Sequence, residues 1–277
     1  MTLEHLTVGT DLVYTLGSNP AEVDRLRRQP GELFDHTVAL LEQVPLESGG
    51  SALDLGCGPA GSIDLLVERV GPSGHVTGLD ANSTHVAHAR ERAAELMLTN
   101  VDILEGDARQ TGLPTGMFDL VHARLLLVNI PQPADVVAEM VRLARPGGWV
   151  AGLEADSVPI CYPPHPAWDR LYELLLIVYN QDGADAYLGR RLPELYRQAD
   201  LVDVRVEARA DIYPLGHTRR TILPDLVRTM RSKILDRGLV SEPELDELDR
   251  TLRRHLADAQ TLVMPFLFFL VWGRKPA

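Results

Sequence analysis

Cysteine is nearly absent. Cys57 and Cys161 are the two in 277 residues, too few to staple a chain of this size, and no metal-ligand spacing surrounds either one. Basic side chains are the second scarcity: lysine and arginine total 27 against 39 acidic residues, a formal net charge of -12. A field of that sign repels a phosphate backbone. The densest basic clusters, Arg25/Arg27/Arg28 and Arg219/Arg220, are short and flanked by acids, so no nucleic-acid partner is expected. Long apolar runs are missing too. The longest, Leu262 to Trp272, is broken by Pro265 and falls short of the ~20 residues a helix needs to cross a bilayer, so no membrane insertion is expected. The opening MTLEHLTVGT has no basic stretch followed by an apolar one and does not read as a signal peptide. These absences point to a soluble protein of a reducing compartment, expected to be cytoplasmic. No internal repeat or low-complexity segment is present.

What remains is globular in composition, with 45% apolar and 24% charged residues, and the length allows one large domain or two small ones. Asn19-Pro20-Ala21-Glu22 is a helix start, with a cap residue, proline at the first helical position and an acid three residues after the cap. Apolar residues from Val23 to Leu41 follow at helical spacing, with Pro30-Gly31 expected to separate two helices. From residue 51 the rhythm changes to strands alternating with helices. Strands are expected at 51–55, 75–80, 101–105, 118–122 and 149–154, which implies a parallel sheet with helices on both faces. Right-handed crossovers then put the strand C-termini on one rim, where ligands bind. Beyond Glu154 come a proline-rich loop, helices near 167–180 and 190–199, a strand at 202–208, helices near 219–236 and 242–258, and a fully buried closing strand, Phe266 to Trp272.

The turn Gly56-Cys57-Gly58-Pro59-Ala60-Gly61 fits G-x-G-x-x-G between a strand and a helix, a nucleotide-site fingerprint that is weak alone. Two acids sharpen it. Asp54, just before the turn, would repel a pyrophosphate by kcal/mol amounts in a shielded cleft, yet suits a ligand with a cationic amino group. Asp80, ending the next strand, stands where an acid accepts both ribose hydroxyls. A nucleoside with a cationic tail and no phosphate describes S-adenosylmethionine.

Ala52-Leu-Asp-Leu-Gly-Cys-Gly-Pro-Ala-Gly61 resembles the first motif of class I S-adenosylmethionine-dependent methyltransferases, and Gly78-Leu-Asp-Ala-Asn82 the second. Glu105-Gly-Asp-Ala108 with Leu113-Pro114 resembles the third, Phe118-Asp-Leu-Val121 the fourth, and Leu143-Ala-Arg-Pro-Gly-Gly148 the approach to strand five. The five motifs fall in order over residues 51–154. Tyr14-Thr-Leu-Gly17 with Arg25-Leu26 and Gln29 looks like the N-terminal cover of the small-molecule enzymes of ubiquinone/menaquinone-like or natural-product-tailoring type. The resemblance implies an α/β fold: a Rossmann-like, doubly wound, seven-stranded sheet with the last strand antiparallel. It implies a helical N-terminal cover over residues 1–46 and a methyltransferase domain over 47–277, with inserted lid segments near 155–200 and 210–260.

Carried over residue by residue, it places Asp54, Gly56 and Gly58 at the methionine moiety and Asp80 at the ribose. Ala81 and Asn82 would lie along the adenine, Asp107 would accept from its exocyclic amine, and Ala108 would offer a backbone N–H. His122, Ala123 and Arg124 would follow strand four beside the sulfonium, and Tyr14 and Gln29 would close the site. Blander readings stand beside these. Asp107 would serve as a helix cap, His122 as a satisfied core residue, Arg124 as the partner of a nearby acid, and Cys57 as packing.

A sulfonium needs mainly an aligned acceptor and the exclusion of water. A general base matters for hydroxyl or carbon acceptors, and His122 and Glu154 are its candidates; otherwise Glu154 caps the proline-rich loop. Val-His-Ala-Arg124 lacks the Asn/Asp-Pro-Pro-aromatic signature of base-amino methyltransferases, and no Pro-Cys nucleophile stands there. The extra length lies in covers rich in Leu, Tyr, Trp and Phe, which suits a partly apolar small-molecule acceptor methylated at O, N or C. Two alternatives stay open: a methyltransferase-fold protein that binds S-adenosylmethionine yet catalyses cyclisation or isomerisation, or only binds ligand; and an NAD-dependent oxidoreductase, against which Asp54 argues. Exchange of N-terminal helices between subunits of a homo-oligomer is compatible with the sequence.

Overall fold

In the computed structural model, residues 15–16, 20–59 and 61–277 are described. In chain order the elements are α1 (Pro20–Glu32), α2 (Phe34–Glu42), β1 (Ser51–Leu55), α3 (Ile63–Val70), β2 (His75–Asp80), α4 (Ser83–Glu95), β3 (Val101–Glu105), β4 (Phe118–Arg124), α5 (Pro133–Leu143) and β5 (Ala144–Asp156). They continue with β6 (Ile160–Tyr162), α6 (Pro166–Gln181), α7 (Leu188–Gln198), β7 (Val202–Ala210), α8 (Ile222–Thr229), α9 (Arg231–Asp236), α10 (Glu242–Leu256), β8 (Leu262–Met264) and β9 (Leu267–Arg274).

Apolar continuity makes the sheet. Ala52, Leu53 and Leu55 of β1 and Leu120, Val121 and Ala123 of β4 are all fully buried, as parallel strands covered on both faces must be. The seven-stranded sheet has the order β3-β2-β1-β4-β5-β9-β7. Strands β1 to β5 run parallel, and β9, last in the chain, is antiparallel to both its neighbours. This is the Rossmann-like sheet expected. Helix α3 turns Ile63, Leu66 and Val70 inward at helical spacing and packs on β1 and β2. Helix α7 does the same with Leu188, Leu192 and Leu195 against β5, β7 and β9. Register then fixes the rim: Asp54 of β1 is paired with His122 of β4, and Arg124 of β4 with Leu153 of β5.

Helices α6, α8 and α10 pack together and α1 leans on α8, so the N-terminal and late segments build one cover. Asp182, just past α6, ties it. Its carboxylate, 2% exposed, accepts from Lys233 Nζ at 2.6 Å and Arg237 Nη2 at 2.5 Å, while Lys233 also donates to the Thr15 carbonyl at 2.8 Å. Burial pushes the Asp182 carboxyl up, but the two cations outweigh it and hold it below the usual carboxylate range.

Several local expectations are corrected. The break expected at Pro30-Gly31 falls instead at Leu33. Leu33 N–H still bonds the Gln29 carbonyl, and Thr37 N–H bonds that of Leu33, so one helix runs into the next without a loop. The helix expected at 219–236 is a short 3-10 turn (Thr218–Thr221) followed by α8 and α9. The closing strand is not buried throughout: Leu267 and Phe269 are half-buried and Arg274 is exposed. The ribbon β6–β8 went unforeseen because it pairs a proline-bounded segment with residues about a hundred positions away. The cap at Asn19 and the Tyr14 and Gly17 positions lie outside the described residues.

Asp182→Ala removes the carboxylate that Lys233 and Arg237 share, and is expected to cost roughly 1–3 kcal/mol of stability. Urea unfolding reads this, and an unchanged midpoint would contradict the tie.

Candidate active site

Strand β1 delivers its chain into the glycine turn, and hydrogen bonds lock that turn from several sides. Gly56 and Cys57 N–H donate to the Leu79 carbonyl at 2.7 and 3.0 Å. Asp54, 2% exposed, accepts from the Ser62 N–H at 2.7 Å through Oδ2 and pairs through Oδ1 with His122 Nδ1 at 2.9 Å. A carboxylate only accepts, so the imidazole proton of that bond sits on Nδ1. Arg124 donates to the Gly61 carbonyl at 2.9 Å and to Thr37 Oγ1 at 3.2 Å, and its burial pulls the guanidinium pKa down. Gly61 has φ +42°, and a Cβ there would lie 2.6 Å from Asp54 Oδ2. Only glycine lets the chain approach this carboxylate so closely.

Asp80 closes the turn from β2. Its Oδ2 accepts from Gly58 N–H at 2.8 Å and its Oδ1 from Asn82 N–H at 2.9 Å, with His85 Nδ1 3.4 Å from the same oxygen. Asn82 caps α4, accepting from the Thr84 and His85 N–H groups. After β3, Asp107 is clamped by Arg109, Nη2 to Oδ2 at 2.8 Å. Burial raises the Asp107 carboxyl, but the Arg109 side chain and N–H outweigh it and hold it low.

Above this rim opens a cavity of about 570 Å³. Of the residues singled out in the sequence, Gln29, Asp54, Gly56, Gly58, Asp80 and Ala81 line it, as do Asn82, Asp107, Ala108 and Arg124. Tyr14 lies outside the described residues. His122, Ala123 and Glu154 do not line the cavity, and this corrects their placement. His122 is fully buried beneath Asp54, its Nε2 without a partner among the described residues. Glu154 is fully buried and accepts from the N–H groups of Leu126, Leu127 and Val128 at 3.1, 2.9 and 3.2 Å. It holds the wall segment 125–129 in place. Burial pushes its carboxyl up to about 8, against the pull of those donors.

The sequence points to an apolar cover for the far wall without assigning its residues to the site. Leu16, Leu175, Ile222, Leu226 and Phe266 make it apolar, with Tyr179 hydrogen-bonded to Asn129 at 3.0 Å and Arg219 beside them. Leu16 belongs to the Tyr14-Thr-Leu-Gly17 segment of the N-terminal cover; no local motif brings it together with the others, which meet only through tertiary packing.

The donor set fits S-adenosylmethionine better than a phosphate ligand. The Gly58 and Ser62 amides, which would cradle a phosphate, are already taken by the carboxylates of Asp80 and Asp54. A Cβ on Gly58 would point into open space, so the turn faces the cavity bare. Asp54, Asp80 and Asp107 present acceptors suited to an amino group, ribose hydroxyls and an adenine amine.

Comparison with known proteins agrees. Residues 52–148 match the family described as methyltransferase domain. The chain is 33% identical over 132 residues to the demethylmenaquinone methyltransferase of Listeria monocytogenes serotype 4a, covering 48% of this chain and 54% of that protein; it thus spans about half the length of that curated relative. Against the demethylmenaquinone methyltransferase of Geobacillus sp. (strain WCH70) it is 30% identical over 181 residues, covering 61% of this chain and 77% of that one. Among solved structures, Haemonchus contortus phosphoethanolamine N-methyltransferase 2 with S-adenosylhomocysteine has a TM-score of 0.59 at 16% identity, covering 92% of this chain and 58% of that one. The [4+2]-cyclase SpnF has a TM-score of 0.55 at 22% identity, covering 88% and 81%. At such identities the structural likeness speaks for the fold alone. Fold and rim define a nucleoside-binding α/β protein. The chain belongs to the class I S-adenosylmethionine-dependent methyltransferases, among those similar to the demethylmenaquinone enzymes.

Glu154 gives a pH signature. Its carboxyl ionises near 4.5 when unperturbed and near 8 in the fold, so across that window the folded state keeps a proton that the unfolded chain has lost. Stability therefore falls as pH rises from about 5 to 8, by at most ~1.4 kcal/mol per unit. Thermal midpoints of the wild type are expected to drop across this range more steeply than those of Glu154→Gln. Equal slopes would contradict the buried proton.

Proposed function

We propose that this chain transfers a methyl group from S-adenosylmethionine to a partly apolar small molecule. The observation that carries the reading is one continuous cavity. It runs from the carboxylate-locked glycine turn to an apolar wall formed by the cover, so a nucleoside cofactor and a second molecule share one enclosure.

Asp80 would accept the ribose hydroxyls, Asp54 would face the cationic amino group, and Gly56 and Gly58 would border the methionine moiety. Ala81 and Asn82 would lie along the adenine, whose amine and ring would meet Asp107 and the Ala108 N–H. Gln29 closes the enclosure from α1. When bound, S-adenosylmethionine supplies an electrophilic methyl on a sulfonium. The chain's own contribution is alignment and dryness: the Asp54–His122 pair fixes the turn, Glu154 fixes the wall at 125–129, and the cover excludes water. With His122 and Glu154 beneath the walls, both act as positioning residues, and proximity drives the transfer.

The relatives' names favour an aromatic acceptor of demethylmenaquinone type, which the apolar wall suits. Net charge argues against nucleic acid as acceptor, and among the described residues no helix is long and apolar enough to cross a membrane.

Calorimetric titration with S-adenosylmethionine, S-adenosylhomocysteine and NADH tests the cofactor. Binding of the first two and silence for NADH are expected. Asp80→Ala is expected to weaken both sulfur compounds at least about tenfold, since hydrogen bonds to a charged acceptor contribute about 1.5–3 kcal/mol each. Failure of the wild type to bind S-adenosylhomocysteine would overturn the reading. Release of S-adenosylhomocysteine in the presence of an aromatic acceptor separates methyl transfer from cyclisation.

A further inference from the structure

Two adjacent arginines, both nearly inaccessible to solvent, behave in opposite ways. Arg220, 4% exposed, is satisfied by main chain: its guanidinium donates to the carbonyls of Leu256, Tyr213, Asp258 and Thr261 at 2.6, 2.8, 2.7 and 2.5 Å. It staples the end of α10 to the segment before α8, and its role is complete within the fold. Arg219, 2% exposed, points into the cavity wall instead. Its guanidinium lies over the rings of Phe268 and Tyr213, 5.1 and 5.9 Å from their centroids. It reaches Glu32 Oε2 with one long contact of 3.4 Å and meets the Tyr213 side chain, while the other Glu32 oxygen accepts the Thr218 hydroxyl at 2.6 Å. Its Nε has no hydrogen-bond partner among the described residues.

A guanidinium carries five N–H donors in a planar fork, and burying it without matching acceptors costs several kcal/mol. Other cations of the same cavity are matched. Arg25 grips Glu22 with two bonds of 2.8 and 2.6 Å, Arg109 is clamped to Asp107, and Arg237 is bound to Asp182. Arg124 serves the glycine turn. Arg219 is the arginine of this wall with a guanidinium nitrogen, Nε, that has no partner among the described residues. It stands at the cover end of the cavity, next to Ile222 and Leu226, the first apolar side chains of α8 that line it.

We propose that Arg219 is the anchor for the acceptor, and that the acceptor is an aromatic or otherwise flat apolar molecule bearing an oxyanion, a carboxylate or enolate oxygen. The planar fork recognises such an oxygen group with paired, charge-assisted bonds. The rings beneath the guanidinium hold it at a fixed angle, and the apolar wall takes the body of the molecule. This rests on the reading that the cavity houses an acceptor beside S-adenosylmethionine. It adds what that reading leaves open: a charged handle, and the residue that holds it.

The test uses a matched pair on protein saturated with S-adenosylhomocysteine. The probes are 2-naphthoate and 2-naphthamide, which share a bicyclic body and differ in the anion. The wild type is expected to bind the acid at least about tenfold more tightly than the amide, as a charge-assisted fork allows. Arg219→Gln is expected to bring the two within about twofold, while Arg219→Lys, which keeps the charge and loses the fork, retains part of the preference. S-adenosylhomocysteine affinity should be unchanged in both variants, which reports an intact fold and rim. Equal affinities for acid and amide in the wild type, binding of neither included, overturn the proposal, as does a preference that survives in Arg219→Gln. Loss of S-adenosylhomocysteine binding in the wild type strikes the cofactor reading instead, so the two failures are distinguishable.

Discussion

The carboxylate of Asp54 is the constraint on which the rest of the site depends. It sits near the end of β1, buried, and must be fully used or it would be costly there. One oxygen takes the Ser62 N–H that opens α3 and the other takes His122 from the neighbouring strand. Its nearness to Gly61 permits no side chain at that position, and Arg124 secures the Gly61 carbonyl from the other side. Strand register, glycine identity and helix start are therefore consequences of one buried anion. The amide donors that other nucleotide sites keep for phosphates are here occupied by carboxylates, which turns a general glycine-rich turn into one suited to a phosphate-free, cationic nucleoside.

The cover has a different logic. It is assembled from three stretches distant in sequence, and ion pairs at its seams hold them: Lys233 and Arg237 on Asp182, Arg253 on Asp225 and the carbonyl staple of Arg220. Between these seams Leu16, Leu175, Ile222, Leu226 and Phe266 line the space above the rim, beside polar groups such as Gln29, Asn129 and Arg219. A molecule held there meets a mostly apolar surface, with Arg219 among the polar groups that face it.

The sheet and the rim could be read from sequence because their determinants are local: continuous apolar strands, a glycine turn, an acid at each strand end. The error at Glu154 shows where locality ends. Side chains alternate faces along a strand, so at the end of β5 one step in parity decides which residue meets the ligand. Ala155 lines the cavity, while Glu154 turns under the wall to hold three amides. A strand-end acid reads the same in either case. His122 fails likewise, since only its pairing with Asp54 across β1 and β4 reveals it as a buried strut. Arg219 and Arg220 form one basic pair in the sequence, yet their neighbours come from α1, α10 and the closing strands, and nothing within ten residues separates the stapled arginine from the one facing the cavity.

The most direct measurement is a crystal structure with S-adenosylhomocysteine bound. The account predicts the ribose hydroxyls on the Asp80 carboxylate, the amino group toward Asp54, and the sulfur facing the apolar wall with the space before Arg219 left open. A ligand seated with its sugar away from Asp80, or filling the cover end of the cavity beside Arg219, would contradict it.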